Sequence, residues 1–292
     1  MRSLFLPIAA ATLLAACTSQ APAPSAEEQS QLQMAQTLAK SGNAGEAVRM
    51  LSELAARSTH SVEPHLALAG IFRQMQRPAD AVVVLTQAKT LQPQNATLLK
   101  SLAAAQLDNE QAQAAIHTLD ELIALEPQNA TGYNSRGIAF DKLGEHASAQ
   151  NSYRQALALN PANASEVQNN LALSQVLNDQ LDEAIPLLEK LVAGPDANST
   201  MRQNLGLAYG LKGDTKRALA MNLKDLKPQE AKENLRFYEQ YRKWRKANPA
   251  STVASPHTAP ETPAPAPTAE PKTNILTTKP EGLSKYPGQT HR

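Results

Sequence analysis

Apolar residues along this chain recur at helical spacing, and one set of slots returns about every 34 residues. The clearest unit spans 130–163. Tyr133, Arg136, Gly137 and Phe140 mark its first stretch, Gly144 follows, and Ala149, Tyr153, Ala156 and Pro161 mark its second. One period earlier the slots hold Leu99, Leu102 and Ala103, then Ala115, Leu119, Leu122 and Pro127. A further step back gives Leu68, Ala69, Phe72, Ala81, Leu85, Ala88 and Pro93. Another gives Met34, Ala35, Leu38, Gly42, Ala47, Leu51 and Leu54, with Thr59 in place of proline. Going forward, one extra residue enters near Ala164. The slots then resume at Leu171, Ala172, Ala184, Leu188 and Leu191, and again at Leu205, Gly206, Tyr209, Gly213 and Ala218.

This spacing predicts pairs of antiparallel helices, neither of which can bury its apolar stripe alone. Small residues such as Ala69, Ala103, Gly137, Ala172 and Gly206 allow paired helices to approach closely, and Leu85, Leu119, Tyr153 and Leu188 fill the space between units. Pro93, Pro127 and Pro161 end second helices, because proline lacks the amide donor and restricts the residue before it. Gly42, Gly144 and Gly213 fall where the chain must turn, and a positive φ costs glycine little. The 130–163 unit resembles the tetratricopeptide repeat, departing from its pattern only where Arg136 replaces leucine. The resemblance implies an all-α fold. It would be a right-handed superhelix of antiparallel helix pairs with about six repeats, at 28–61, 62–95, 96–129, 130–163, 165–198 and a degenerate 199–226.

Two further helical patterns flank the array. After Pro228, Phe237, Tyr241 and Trp244 form one stripe, and Arg236, Arg242, Lys243, Arg245 and Lys246 gather near the helix end, where cations complement the helix dipole. A capping helix over 227–247 follows, since a solenoid needs a terminal element with a solvated outer face. At the amino terminus, residues 4–14 are apolar but too short to span a bilayer, which reads as a signal peptide over 1–16. Its ending, Leu14-Ala15-Ala16-Cys17, resembles the lipobox of bacterial lipoproteins. That resemblance implies cleavage before Cys17, acylation of that residue and, with Thr18 next, sorting to the periplasmic face of the outer membrane. The stretch 17–27 then serves as a lipidated tether. The Pro/Ala/Thr-rich stretch 248–292 offers little to bury and is expected to be an extended, disordered tail.

Composition narrows the function. A formal net charge of +1 gives no field favouring nucleic acid, and one cysteine among 292 residues makes no internal disulfide. The six histidines are scattered without metal-ligand spacing and are expected at the surface. Phosphate-binding, dinucleotide and nucleophile motifs are absent from the sequence, so neither cofactor, metal nor enzymatic activity is expected. Function is placed instead in the concave groove that first helices line in tetratricopeptide arrays. Lys100, Asn134, Asn169 and Gln203 share one slot there; Ala104, Ile138, Leu173 and Leu207 lie one turn on. A side-chain amide both donates and accepts, so it can pair with a partner's backbone in either direction. With only Lys100 basic among the four, capture of a free carboxylate terminus is disfavoured.

Anchor, tether, repeats and basic-aromatic final helix together resemble the TadD lipoproteins of the tight-adherence (Flp) pilus machine. The likeness concentrates in Ser135-Arg136-Gly137-Ile138-Ala139, Asn169-Asn170-Leu171-Ala172, the run 202–210 and Asn234-Leu235. It implies a membrane-anchored scaffold that binds the secretin or another pilus subunit. A pilotin-like lipoprotein of type IV pili, and a scaffold for barrel-assembly or cell-wall enzymes, are the alternatives.

Overall fold

The computed structural model describes residues 25–247, which form thirteen α-helices and no strand. The signal peptide, Cys17, most of the tether and the tail after Ala247 lie outside the described residues. The helices fall into pairs: α1 (Ala26–Lys40) with α2 (Ala44–Arg57), α3 (Glu63–Gln74) with α4 (Pro78–Leu91), and α5 (Ala96–Asp108) with α6 (Ala112–Leu125). Next come α7 (Ala130–Lys142) with α8 (His146–Ala158), α9 (Ala164–Leu177) with α10 (Leu181–Ala193), and α11 (Ser199–Lys212) with α12 (Thr215–Asn222). The last helix, α13, spans Pro228–Ala247, with Pro228 at its first position where no amide donor is needed. Each helix packs on its neighbours in sequence, and each odd-numbered helix also touches the next odd-numbered one. The chain is a solenoid of stacked helix pairs.

Alanines set the closeness of the stacking. Ala35, Ala69, Ala103 and Ala172 on first helices, and Ala47, Ala81, Ala115, Ala149, Ala184 and Ala218 on second helices, are all buried. At Gly137 an added Cβ would run into the Tyr153 ring, and at Gly206 it would come within 2.5 Å of Asn222 Oδ1. Between pairs, Leu51, Leu85, Leu119, Tyr153 and Leu188 are enclosed. Gln92 and Glu126, each just before a proline, leave the helical conformation at ψ 78° and 77° and end α4 and α6. The extra residue near Ala164 is absorbed in the α8–α9 turn, where Asn160 takes φ +48°.

All six turns within pairs contain a left-handed residue. Gly42, Gly144 and Gly213 fill three, at φ +86°, +74° and +94°. Gln76, Glu110 and Asp179 fill the other three at φ +58°, +58° and +62°. The turn geometry is therefore general to the array, and half of it is made by residues whose Cβ opposes it.

The first helix begins earlier than its repeat pattern indicates. Ser25 caps α1 by accepting a hydrogen bond from the Glu28 amide at 3.1 Å, so Ala26 and Glu27 are helical and not part of a tether. At the other end, α13 contacts both α11 and α12, taking the place that a seventh first helix would occupy. Ala231, Asn234 and Tyr238 are buried there, and Gly210 lies so close to Tyr238 that a Cβ would collide with its ring.

Candidate protein-interaction face

The odd-numbered helices form the inner layer, and polar groups tie several of them to the next first helix or to the end of their own pair. Arg73 at the end of α3 donates to Asp108 at the end of α5 at 2.7 Å. Lys100 on α5 lies 2.9 Å from Glu126, and this contact holds the Glu126 carboxyl below its usual value. Farther along, amides replace charges. Asn170 Nδ2 donates to Asn134 Oδ1 at 3.2 Å, and Asn204 Nδ2 donates to Asn169 Oδ1 at 2.9 Å. Asn169 and Asn170 are neighbours on α9, so one helix pairs backward through the second and forward through the first.

These contacts change the picture of the groove drawn from sequence. Asn134 and Asn169 are 3% and 2% exposed and face the next repeat inside the solenoid. Leu173 and Leu207 are also buried, within the cluster that holds Tyr209 and Tyr238. Ile138 is half-buried against the cluster that holds Tyr153, Gln203 is half-buried, and Ala104 is buried. Lys100 keeps a third of its side chain open while paired with Glu126. The reason for the correction is geometric. Adjacent first helices are close enough for short amides to meet each other, so the slot that looks solvated in one repeat is closed by the next.

A second polar knot joins α7, α8 and α9. Asp141, at the end of α7, accepts from Tyr153 at 2.8 Å and from Ser174 at 2.7 Å, with His146 Nδ1 at 2.8 Å. Burial first, and then the Asp141 charge, push the Tyr153 hydroxyl well above its ordinary value. The triad-like cast of Ser174, His146 and Asp141 carries no nucleophilic geometry, because the serine donates to the carboxylate and to the His146 carbonyl rather than to the imidazole. His146 is thus a packed residue, and so is His65, at 6% exposure. Both depart from the expectation of surface histidines. Arg136, the departure from the repeat pattern, donates to Asp120 and Gln155 at 2.8 Å each and lies over the Tyr133 ring. No cluster of three metal-ligating side chains occurs among the described residues, and no described helix is long and apolar enough to cross a membrane.

The terminal helix adds the most chemically distinct surface. Phe237, Tyr241 and Trp244 stack in sequence, with centroid separations of 5.9 and 5.7 Å, and all three are half-buried. Phe237 and Tyr241 back onto the core cluster of the last two pairs. Arg245, grouped by sequence with the solvated cations, is instead buried, with Nη1 3.2 Å from Asp179 in the α9–α10 turn. That contact fastens the end of α13 to the preceding repeat. The other surface feature is a polar cavity of about 350 Å³ between the start of α1 and the end of α2, lined in part by Glu28, Arg57 and His60.

Comparison with known proteins places this architecture. One tetratricopeptide-repeat signature matches 23–95, and a second matches 101–164 and 135–200. No curated protein matches the sequence. Among solved structures, a tetratricopeptide repeat protein from Parabacteroides merdae superposes with a TM-score of 0.61 at 16% identity, covering 80% of this chain and 95% of that one. Pseudomonas aeruginosa PilF gives 0.54 at 18% identity, over 68% of this chain and 89% of its own. MamA from Desulfovibrio magneticus RS-1 gives 0.52 at 21% identity, over 58% and 96%. At these identities the likeness is one of fold. The two signatures together span more than half of the sequence and coincide with the stacked helix pairs: the chain belongs to the tetratricopeptide-repeat proteins.

Proposed function

We propose that this protein is a lipid-anchored scaffold on the periplasmic face of the outer membrane, serving tight-adherence (Flp) pilus assembly by binding the secretin or another subunit of that machine. One conjunction carries the reading: a lipobox ending at Cys17 lies eight residues before a helix-pair solenoid. Acylation at Cys17 would hold the array within a short tether's length of the bilayer, raising the effective concentration of any membrane-bound partner. The work is binding rather than catalysis. The buried amide pairs and the Asp141 knot support a stiff inner layer, and the half-open side chains of Lys100, Ile138 and Gln203 supply what that layer presents to a partner. Stiffness matters, since a surface already ordered loses less conformational entropy on binding.

The test has two arms. Cys17→Ser should move the protein from the outer-membrane fraction to the soluble periplasm, and unchanged fractionation would remove the anchor. Crosslinking in intact cells should recover the secretin with the wild-type protein. Recovery of type IV pilus components instead would favour the pilotin-like reading, and recovery of barrel-assembly components would favour that scaffold role.

A further inference from the structure

We propose that the aromatic ladder of α13 is the docking site for the proline-rich segment of the chain's own tail, 256–271. The inference stands apart from the pilus reading and rests on three features of this molecule. The first is the ladder itself. At about 100° per residue, Phe237, Tyr241 and Trp244 fall on one edge of the helix, beside the buried face made by Ala231, Asn234, Tyr238 and Arg245. With Phe237 and Tyr241 backed by the core and all three rings half-buried, the stack forms a ridged apolar strip. Such strips are what polyproline segments recognise, because a polyproline II helix arrives with its conformation already fixed and presents proline rings along one edge.

The second feature is charge. Helix α13 carries six Lys and Arg against three Glu. By the same helical angle, Arg236 and Lys243 fall on the solvent side of the ladder, and both are exposed. Between 248 and 271 the chain has no Lys or Arg, and its only carboxylates are Glu261 and Glu270, set among Pro256, Pro260, Pro263, Pro265, Pro267 and Pro271. The segment is acidic where the helix as a whole carries a net positive charge, although Lys243 already pairs with Glu239 at 2.7 Å, so Arg236 is the cation that this side leaves to the tail.

The third feature is reach. From Phe237 to Trp244 the helix rises about 10 Å, and a polyproline turn of three residues, the sequence spacing of Pro260 and Pro263, would rise about 9 Å. The eight residues 248–255 between the helix end and Pro256 span up to about 26 Å when extended, enough to bring the chain back along the helix that it has just left. So short a connection makes the site's effective concentration of tail high, and a weak contact suffices to occupy it.

Trp244 is the only tryptophan in the chain, so the site reports on itself. The experiment compares the chain 18–292 with the same chain carrying Pro260→Ser, Pro263→Ser and Glu261→Lys, none of which lies in the helix array. Helix content by circular dichroism should be equal in the two. The acrylamide quenching constant of Trp244 should rise roughly twofold in the variant, with a red shift in emission. A synthetic peptide of residues 256–271 added to the variant should restore the wild-type emission in a saturable way. Equal quenching in the two chains, or no response to the peptide, overturns the proposal. Protection that grows with protein concentration also overturns it, because the occupant would then be the tail of a second copy.

Discussion

The two halves of the solenoid are joined by different means. In the first three pairs the contacts between units are mostly apolar: Val62, Leu68, Ile71, Phe72, Leu85, Leu98 and Leu102 form one cluster, the ion pair Arg73–Asp108 lies at its edge, and the buried bond from Thr118 to Gln106 at 2.9 Å joins the two helices of a single pair. From α7 onward the interior is also polar, with Asn134, Asn169, Asn170, Asn204 and Ser174 all at most 5% exposed and hydrogen-bonded across repeats. Apolar stacking is non-directional and tolerates a small slide between units. An amide pair does not, because a displaced amide leaves a buried donor or acceptor unmet. The second half is therefore the part of the array whose curvature is most closely specified.

That contrast can be broken most strongly at Asn169. Asn169→Leu removes the acceptor of Asn204, whose own Oδ1 already lacks a partner, and strands a fully buried amide. The expected cost is about 1–3 kcal/mol. Adding Asn204→Leu to the same chain should recover part of the loss, since neither polar group then remains. Thermal or urea unfolding measures both, and a single variant as stable as wild type would show that the pairing adds nothing to the fold.

The same half shows what a single sequence reveals and what it withholds. Helix pairing, register and the close approach at Gly137 were legible, because each depends on residue size recurring at one period. The fate of Asn134 and Asn169 was not. An amide in one repeat is satisfied by an amide 36 or 35 residues away, and no pattern within a single unit records that pairing. Arg245 was misread for a similar reason: its carboxylate, Asp179, lies in a turn far back in the chain. The turns themselves were half legible. Glycine announced three of them, while Gln76, Glu110 and Asp179 adopt the same conformation with no sequence signal.

The first half also buries a titratable ring, His65. It is buried beside α3's aliphatic neighbours, its Nδ1 has no hydrogen-bond partner, and burial lowers its pKa from 6.5. In the unfolded chain the ring regains its ordinary value, so below about pH 6.5 the unfolded state binds more protons than the folded one and stability falls with pH. A melting temperature that drops over pH 6.5 to 5 is expected, with His65→Gln flattening the part of that slope due to this residue. A slope identical in the variant would mean that other groups account for it.

The smallest effect separates two turns that share a backbone conformation. Glu110 and Asp179 both stand at positive φ, and glycine at either would remove the Cβ conflict. At Glu110, an exposed residue, Glu110→Gly should stabilise the protein by about 1 kcal/mol or somewhat less, because the relieved strain exceeds the extra entropy of the unfolded chain. At Asp179 the same relief is opposed by loss of the carboxylate that meets buried Arg245, the contact fastening α13 to the array. Asp179→Gly should therefore gain nothing or lose stability, since it leaves a buried cation without its counter-charge. Urea midpoints for the two variants test the distinction. Equal gains at both would mean that Arg245 does not need Asp179 and that the end of α13 is held by its aromatic contacts alone.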